Sequence, residues 1–153
     1  MIVVSDTSAV TSLIQIGQLE LLRELHGGVL IPEAVHRELL RAHRSLPEFL
    51  DMRRVLNREA VRRLEGELDA GEAEAIVLAK ELQADLLLID EKLGRAVARR
   101  EGLRIAGLLA VIVDAKRRGL IGSVREIVAR LEGEAGFRVS NTVRAQAFRA
   151  AGE

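Results

Sequence analysis

Ile2-Val3-Val4-Ser5-Asp6 and Leu86-Leu87-Leu88-Ile89-Asp90 decide how this chain folds. Each is a short aliphatic run that stops abruptly at an aspartate, and residues of helical period follow, from Ser8 in one case and Lys92 in the other. An apolar run of strand length without polar alternation belongs to a strand buried on both faces, as in a parallel sheet covered by helices. Strands are expected over Ile2–Val4, Val29–Ile31 (stopped by Pro32) and Leu86–Ile89, with weaker candidates near Val55 and over Arg104-Ile105. Helical periodicity covers Ser8–Ile16, Leu19–Leu25, Glu33–Ala42, Arg58–Leu64, Gly71–Leu82, Lys92–Arg100, Leu108–Arg118 and Val124–Leu131. Strands alternating with helices predict an α/β protein, a three-layer α/β/α sandwich around a central parallel sheet.

At 153 residues and 48% hydrophobic, the chain has enough apolar side chain for one self-sufficient core and too little for two. One domain is expected over residues 1–132, with a tail over residues 133–153 docked on it. Three Phe and no Trp or Tyr leave the core aliphatic and make base-stacking platforms scarce. Twenty-three basic residues balance 23 acidic ones, so a nucleic-acid partner must be drawn by a local patch. The absence of Cys excludes disulfides, thiolate zinc sites and cysteine nucleophiles, and fits a cytoplasmic protein. The three His form no H-E-x-x-H pair. Every apolar run is of strand length, so neither a signal peptide nor a membrane span is expected.

Four carboxylates stand out. Asp6 and Asp90 end strands at the carboxyl edge of a parallel sheet, where ligands bind in open α/β folds. Each is also placed to cap the following helix. Projected at about 100° per residue, Glu72 falls between Ile76 and Ala79 on the apolar stripe of its helix, while Glu74 falls on the opposite, solvated side. Glu38 lies beside Ala34, Val35 and Ala42. A buried acid needs a partner, and pairing with an arginine is the alternative to a ligand role. Four converging carboxylates repel one another, and the usual compensation is a hard divalent cation with oxygen ligands, here one or two Mg²⁺ or Mn²⁺ ions. Such a set suits in-line attack on a phosphodiester. Competing chemistries lack their residues: Ser8 stands where a dehalogenase-type phosphatase needs a second Asp, and neither G-x-G-x-x-G nor a P-loop occurs.

Val4-Ser5-Asp6-Thr7-Ser8, Ile31-Pro32-Glu33-Ala34-Val35-His36-Arg37-Glu38-Leu39, Leu68-Asp69-Ala70-Gly71-Glu72-Ala73-Glu74-Ala75-Ile76 and Leu88-Ile89-Asp90-Glu91 resemble, in order, the blocks of PIN domains. The likeness runs from Met1 to about Ile121 and is nearest to a VapC-like branch carrying the Gly-Glu-Ala-Glu-Ala pattern. It implies a PIN-like fold, and a family acid on each of Asp6, Glu38, Glu72 and Asp90 with Thr7 or Ser8 as a nearby hydroxyl. It further implies Mg²⁺ or Mn²⁺ dependence, cleavage of single-stranded RNA, a homodimer, and toxin action restrained by an antitoxin. The chain departs from the pattern at Glu72, where many relatives have Asp, at Ala9-Val10 and at Leu108-Leu109.

Lys92 and Arg95, just past Asp90, are the preferred phosphate contacts, with Arg41, Arg44 and Lys116-Arg117-Arg118 as further candidates. Glu91 reads as a first-turn helix acid. The expected activity is a metal-dependent endoribonuclease, and the alternative is a module of the same fold that binds RNA or protein with weak or no catalysis.

Overall fold

The computed structural model describes all 153 residues. Five strands form one parallel sheet: β1 (Val3–Ser5), β2 (Val29–Pro32), β3 (Leu50–Arg53), β4 (Leu86–Leu88) and β5 (Ile105–Ala106), in the order β3-β2-β1-β4-β5. Between β1 and β2 come α1 (Thr7–Gln15) and α2 (Glu20–His26), and α3 (Glu33–Ala42) joins β2 to β3. Helices α4 (Arg58–Leu64) and α5 (Ala70–Glu81) lead to β4, and α6 (Lys92–Arg100) leads to β5. The chain finishes with α7 (Leu108–Arg117), α8 (Val124–Glu134) and α9 (Asn141–Ala150).

Side chains on a strand alternate between faces, and here the alternation divides two cores. Val3, Val29, Ile31 and Leu88 join the helices of one layer, α1, α2, α7 and α8, in a cluster of 24 buried residues. Val4, Leu87 and Ile89 join α4, α5 and α6 in a second cluster of 15. The three-layer α/β/α sandwich is therefore formed by aliphatic burial on both sides of short central strands. Each fully buried Leu or Ile contributes about 1.5–3 kcal/mol.

The weak strand expected near Val55 instead lies at Leu50–Arg53, the sheet edge, paired Val29–Leu50 through Pro32–Arg53. Asp51 and Arg53 pair with each other at 3.1 Å on its exposed side, and such charges blunt an edge against further pairing. No helix is long and apolar enough to cross a membrane.

The C-terminal residues pack on the same body. Helix α9 lies against α7 and α8, and its Ala147 joins the larger core. The Glu153 carboxylate accepts the Val124 and Arg125 amides at the start of α8 and pairs with Lys116 at 3.0 Å. These partners hold the Glu153 carboxyl down at about 2, the Val124 amide being the largest cause. The Lys116-Arg117-Arg118 run has structural work here: Arg117 donates to the Ala150 carbonyl and Arg118 to that of Leu25. The run lines neither of the clefts described below.

Candidate functional site

From β1 the chain moves outward to β2 and β3, then returns to β4 on the opposite side of β1. Strands β1 and β4 pair from Val3–Leu86 to Ser5–Leu88, and the Asp6 amide donates to the Leu88 carbonyl at 3.0 Å. This reversal of strand order opens a crevice at the carboxyl ends of the two strands. Asp6 and Asp90 flank it.

Asp6 occupies the N-cap position of α1, yet its side chain makes no capping hydrogen bond. The residue is 1% exposed, and Oδ1 is buried without a partner. Burial, with the Asp90 charge next in effect, pushes its carboxyl up to about 8. Asp90 does serve a helix, although not the one that follows it. Its Oδ1 accepts the Leu108 amide at the start of α7 at 3.0 Å. Burial raises the Asp90 pKa, and the Leu108 amide and the Arg95 guanidinium act against that rise.

Glu72 projects from the first turn of α5, where its amide caps onto Asp69 at 2.8 Å. Its Oε2 is buried and unpartnered. Burial, followed by the Asp69 charge, pushes this carboxyl up to about 7. Glycine at position 94 gives it room: a β-carbon there would stand 2.7 Å from Oε2 and 2.8 Å from the Ile89 side chain. Glu38, in the second turn of α3, gains its place the same way, since a β-carbon on Gly71 would lie 2.6 Å from its Oε1. Close approach of α3 to α5 and of α5 to α6 thus delivers two half-buried acids to the crevice.

Asp6, Glu38 and Glu72 line one cleft of about 530 Å³, with Thr7 and Ser8 on its α1 wall. Asp90 lines an adjoining cleft of about 820 Å³ together with Lys92 and Arg95. Ser8, Ser12, Glu91 and Ala135 border both. The single pocket expected for four acids is therefore a pair of connected clefts, with Asp90 at their junction and near enough to raise the Asp6 pKa. As the side chains stand, no three acidic or histidine groups converge on one ligating point. Asp90 is turned toward the Leu108 amide and Glu72 shares its turn with Asp69.

Several lining residues escaped the reading of the sequence. Thr11, Ser12 and Gln15 continue the wall begun by Ser8, spaced three and four apart on the face of α1 opposite buried Ala9, Val10 and Leu13. That polar stripe was a visible signal. Asp69 also lines the acidic cleft, and Glu91 lines both clefts and makes no capping bond to α6. Glu91, expected as a first-turn acid, stands instead at the N-cap position of α6.

Glu74 corrects the helical projection outright. It is 4% exposed, accepts the Ala34 amide at 2.9 Å, and receives Arg58 at 3.0 Å. Helix α5 is covered by α3, α4, α6 and the sheet, so Gly71 and every residue from Ala73 to Ala79 are buried and no solvated face remains. Glu74 is the arginine-paired acid that had been weighed for Glu72 and Glu38. Arg41 and Arg44 are exposed and line neither cleft.

No curated protein matches the chain. A family model described as PIN domain matches residues 2–153, nearly its whole length. With the parallel sheet and the acids at its switch point, this match identifies the chain as a member of the PIN-domain family.

Proposed function

We propose that the chain is a Mg²⁺- or Mn²⁺-dependent endoribonuclease acting on single-stranded RNA. The observation that carries this reading is a pair of orphaned carboxylate oxygens, Asp6 Oδ1 and Glu72 Oε2, buried at the switch point of a PIN-domain sheet. An unpartnered buried acid is costly, and one whose pKa is raised to about 8 or 7 gains most from a cation that takes the proton's place. Hard oxygen donors without His or Cys suit Mg²⁺ or Mn²⁺ rather than zinc. Asp6, Glu38, Glu72 and Asp90 are the residues that would hold one or two ions. A divalent ion bound there supplies an activated water and neutralises charge developing on the attacked phosphate.

The chain's own residues do the rest. Thr7, whose hydroxyl is buried without a partner, and Ser8 offer donors to a phosphate oxygen at the mouth of α1. Lys92 and Arg95 supply positive charge beside Asp90. Incubating purified protein with end-labelled single-stranded RNA and Mn²⁺ tests the reading. Cleavage that Asp6→Asn abolishes supports it, and intact RNA with the wild-type protein refutes it.

A second reading, a PIN-fold module that binds RNA or protein with little catalysis, is favoured by one observation: no three acids stand ready to ligate. Calorimetric Mn²⁺ titration separates the two, because a pure binding module shows no site-specific uptake that Asp6→Asn removes. The toxin role, with an antitoxin partner and a homodimer, rests on the VapC-like blocks alone. Growth arrest on expression, relieved by a short neighbouring gene, is its test.

A further inference from the structure

The cleft beyond Asp90 has a different chemistry from the acidic one. Its walls carry Lys92, Arg95 and Arg138, none of which forms an ion pair with any carboxylate. The acidic cleft has no cation in its lining. In a molecule of zero net charge, an anionic polymer must be drawn by such a local grouping. Arg95 marks the junction: Arg95 Nη1 and Asp90 Oδ1 lie 3.1 and 2.9 Å from one point, the place a β-carbon would take on Gly107.

The far wall comes from the loop between α8 and α9, which contributes Phe137 and Arg138. The chain has three phenylalanines. Phe148 carries Arg125 over its ring at 4.3 Å, and Phe49 packs on the core away from both clefts. Phe137 is the phenylalanine that lines either cleft; it is half-buried and packs in part on the larger core. The loop is held in place, since the Phe137 amide donates to the Leu131 carbonyl at 3.0 Å and Arg144 of α9 pairs with Glu132 of α8. A wall fixed before binding loses little entropy when it binds.

We propose that Phe137 and Arg138 complete, with Lys92 and Arg95, a second cleft that holds the RNA strand next to the phosphate at Asp90. The strand's neighbouring phosphate meets the cations and an unpaired base stacks on Phe137. At about 820 Å³ the cleft falls within the range that takes small-molecule-sized groups. The assignment rests on the nuclease reading for the phosphate at Asp90 and not for the binding of the strand.

The test uses the full chain and a fluorescein-labelled single-stranded oligoribonucleotide. Binding is followed by anisotropy without divalent ions, and cleavage with Mn²⁺ is compared between that oligonucleotide and a dinucleotide. Arg138→Gln is expected to lower the slope of log affinity against log salt by about 0.7, as loss of one phosphate contact on a single strand does. Phe137→Leu is expected to weaken binding about tenfold, and either change to reduce the preference for the long substrate over the dinucleotide by a similar factor. Arg41→Gln, an exposed cation outside both clefts, is the control for general electrostatics. Because Arg138 is exposed, its variant keeps the test valid should Phe137→Leu disturb the fold. Variants that bind like the wild type overturn the assignment, and so does a wild type that binds no RNA. Unchanged RNA affinity with altered protein self-association overturns it in favour of a protein surface. Binding lost in the variants, with no cleavage by the wild type, upholds the cleft and refutes the nuclease reading.

Discussion

Replacing Asp6 by asparagine removes one charge from a position that is 1% exposed and leaves the side-chain shape nearly unchanged. An aspartate in the unfolded chain titrates near 3.8, whereas burial and the facing Asp90 hold this one at about 8. The folded-state value lies above the unfolded one, so folding takes up a proton. The ionised form weighs against the fold increasingly from 3.8 upward, and the penalty levels off above about 8. At about 1.4 kcal/mol per pKa unit, the interval from 3.8 to neutrality corresponds to about 4 kcal/mol. Asparagine escapes this, but buries an amide without a partner at a cost of about 1–3 kcal/mol. The net expectation is a gain of about 2 kcal/mol at neutral pH, a rise in Tm of about 4–8 °C for a chain of this length. Thermal unfolding followed by far-ultraviolet circular dichroism, in a metal chelator and across a pH series, measures it directly. The advantage of Asp6→Asn should shrink and reverse toward about pH 4, where wild-type Asp6 is neutral in the fold. Mn²⁺ should raise the wild-type Tm and not that of the variant. A variant no more stable than wild type at neutral pH, or a gap that does not widen as pH rises, refutes the buried-charge argument.

Gly94→Ala drives a methyl into Glu72 Oε2 and the Ile89 side chain. Overpacking of about 1–3 kcal/mol outweighs the better helix propensity of alanine, so a net loss of about 1 kcal/mol by denaturant unfolding is expected, with weaker Mn²⁺ binding by calorimetry. Glu74→Ala leaves the Ala34 amide without its acceptor and should destabilise by about 1–3 kcal/mol in urea unfolding. Since that amide begins α3, the helix carrying Glu38, RNA cleavage should fall as well. Glu153→Gln removes a carboxylate whose folded-state pKa is depressed to about 2. Its stabilisation is present above the ordinary value of 4.5 and fades as pH falls through about 2, so acid-unfolding curves of the two proteins should differ at neutral pH and converge in strong acid.

Strands β1 and β4 were legible because an apolar run broken by an aspartate has one reading in a parallel sheet. Helices α3, α4 and α6 begin and end where their periodicity does, at Glu33–Ala42, Arg58–Leu64 and Lys92–Arg100. Strand β3 was misplaced because an edge strand carrying Asp51 and Arg53 lacks the apolar run that marked the central ones. Projection failed on α5 for a physical reason. It assumes a solvated face, and a helix enclosed on all sides has none, so Glu74 and Glu72 cannot be told apart by angle. What separates them is the Ala34 amide beside one and Gly94 beside the other, contacts that only the tertiary fold creates. Asp69 shows the opposite limit: it looks like an ordinary helix cap until the crevice is seen beside it.

The return of the chain from β3 to β4 divides the acids evenly along its length. Asp6 and Glu38 precede the exposed turn Glu65-Gly66-Glu67, while Glu72 and Asp90 follow it. A break in that turn would sever no strand or helix, and α4 and α5 would remain packed across it. Neither fragment would own more than half of the carboxylate set, so only their complementation rebuilds the crevice.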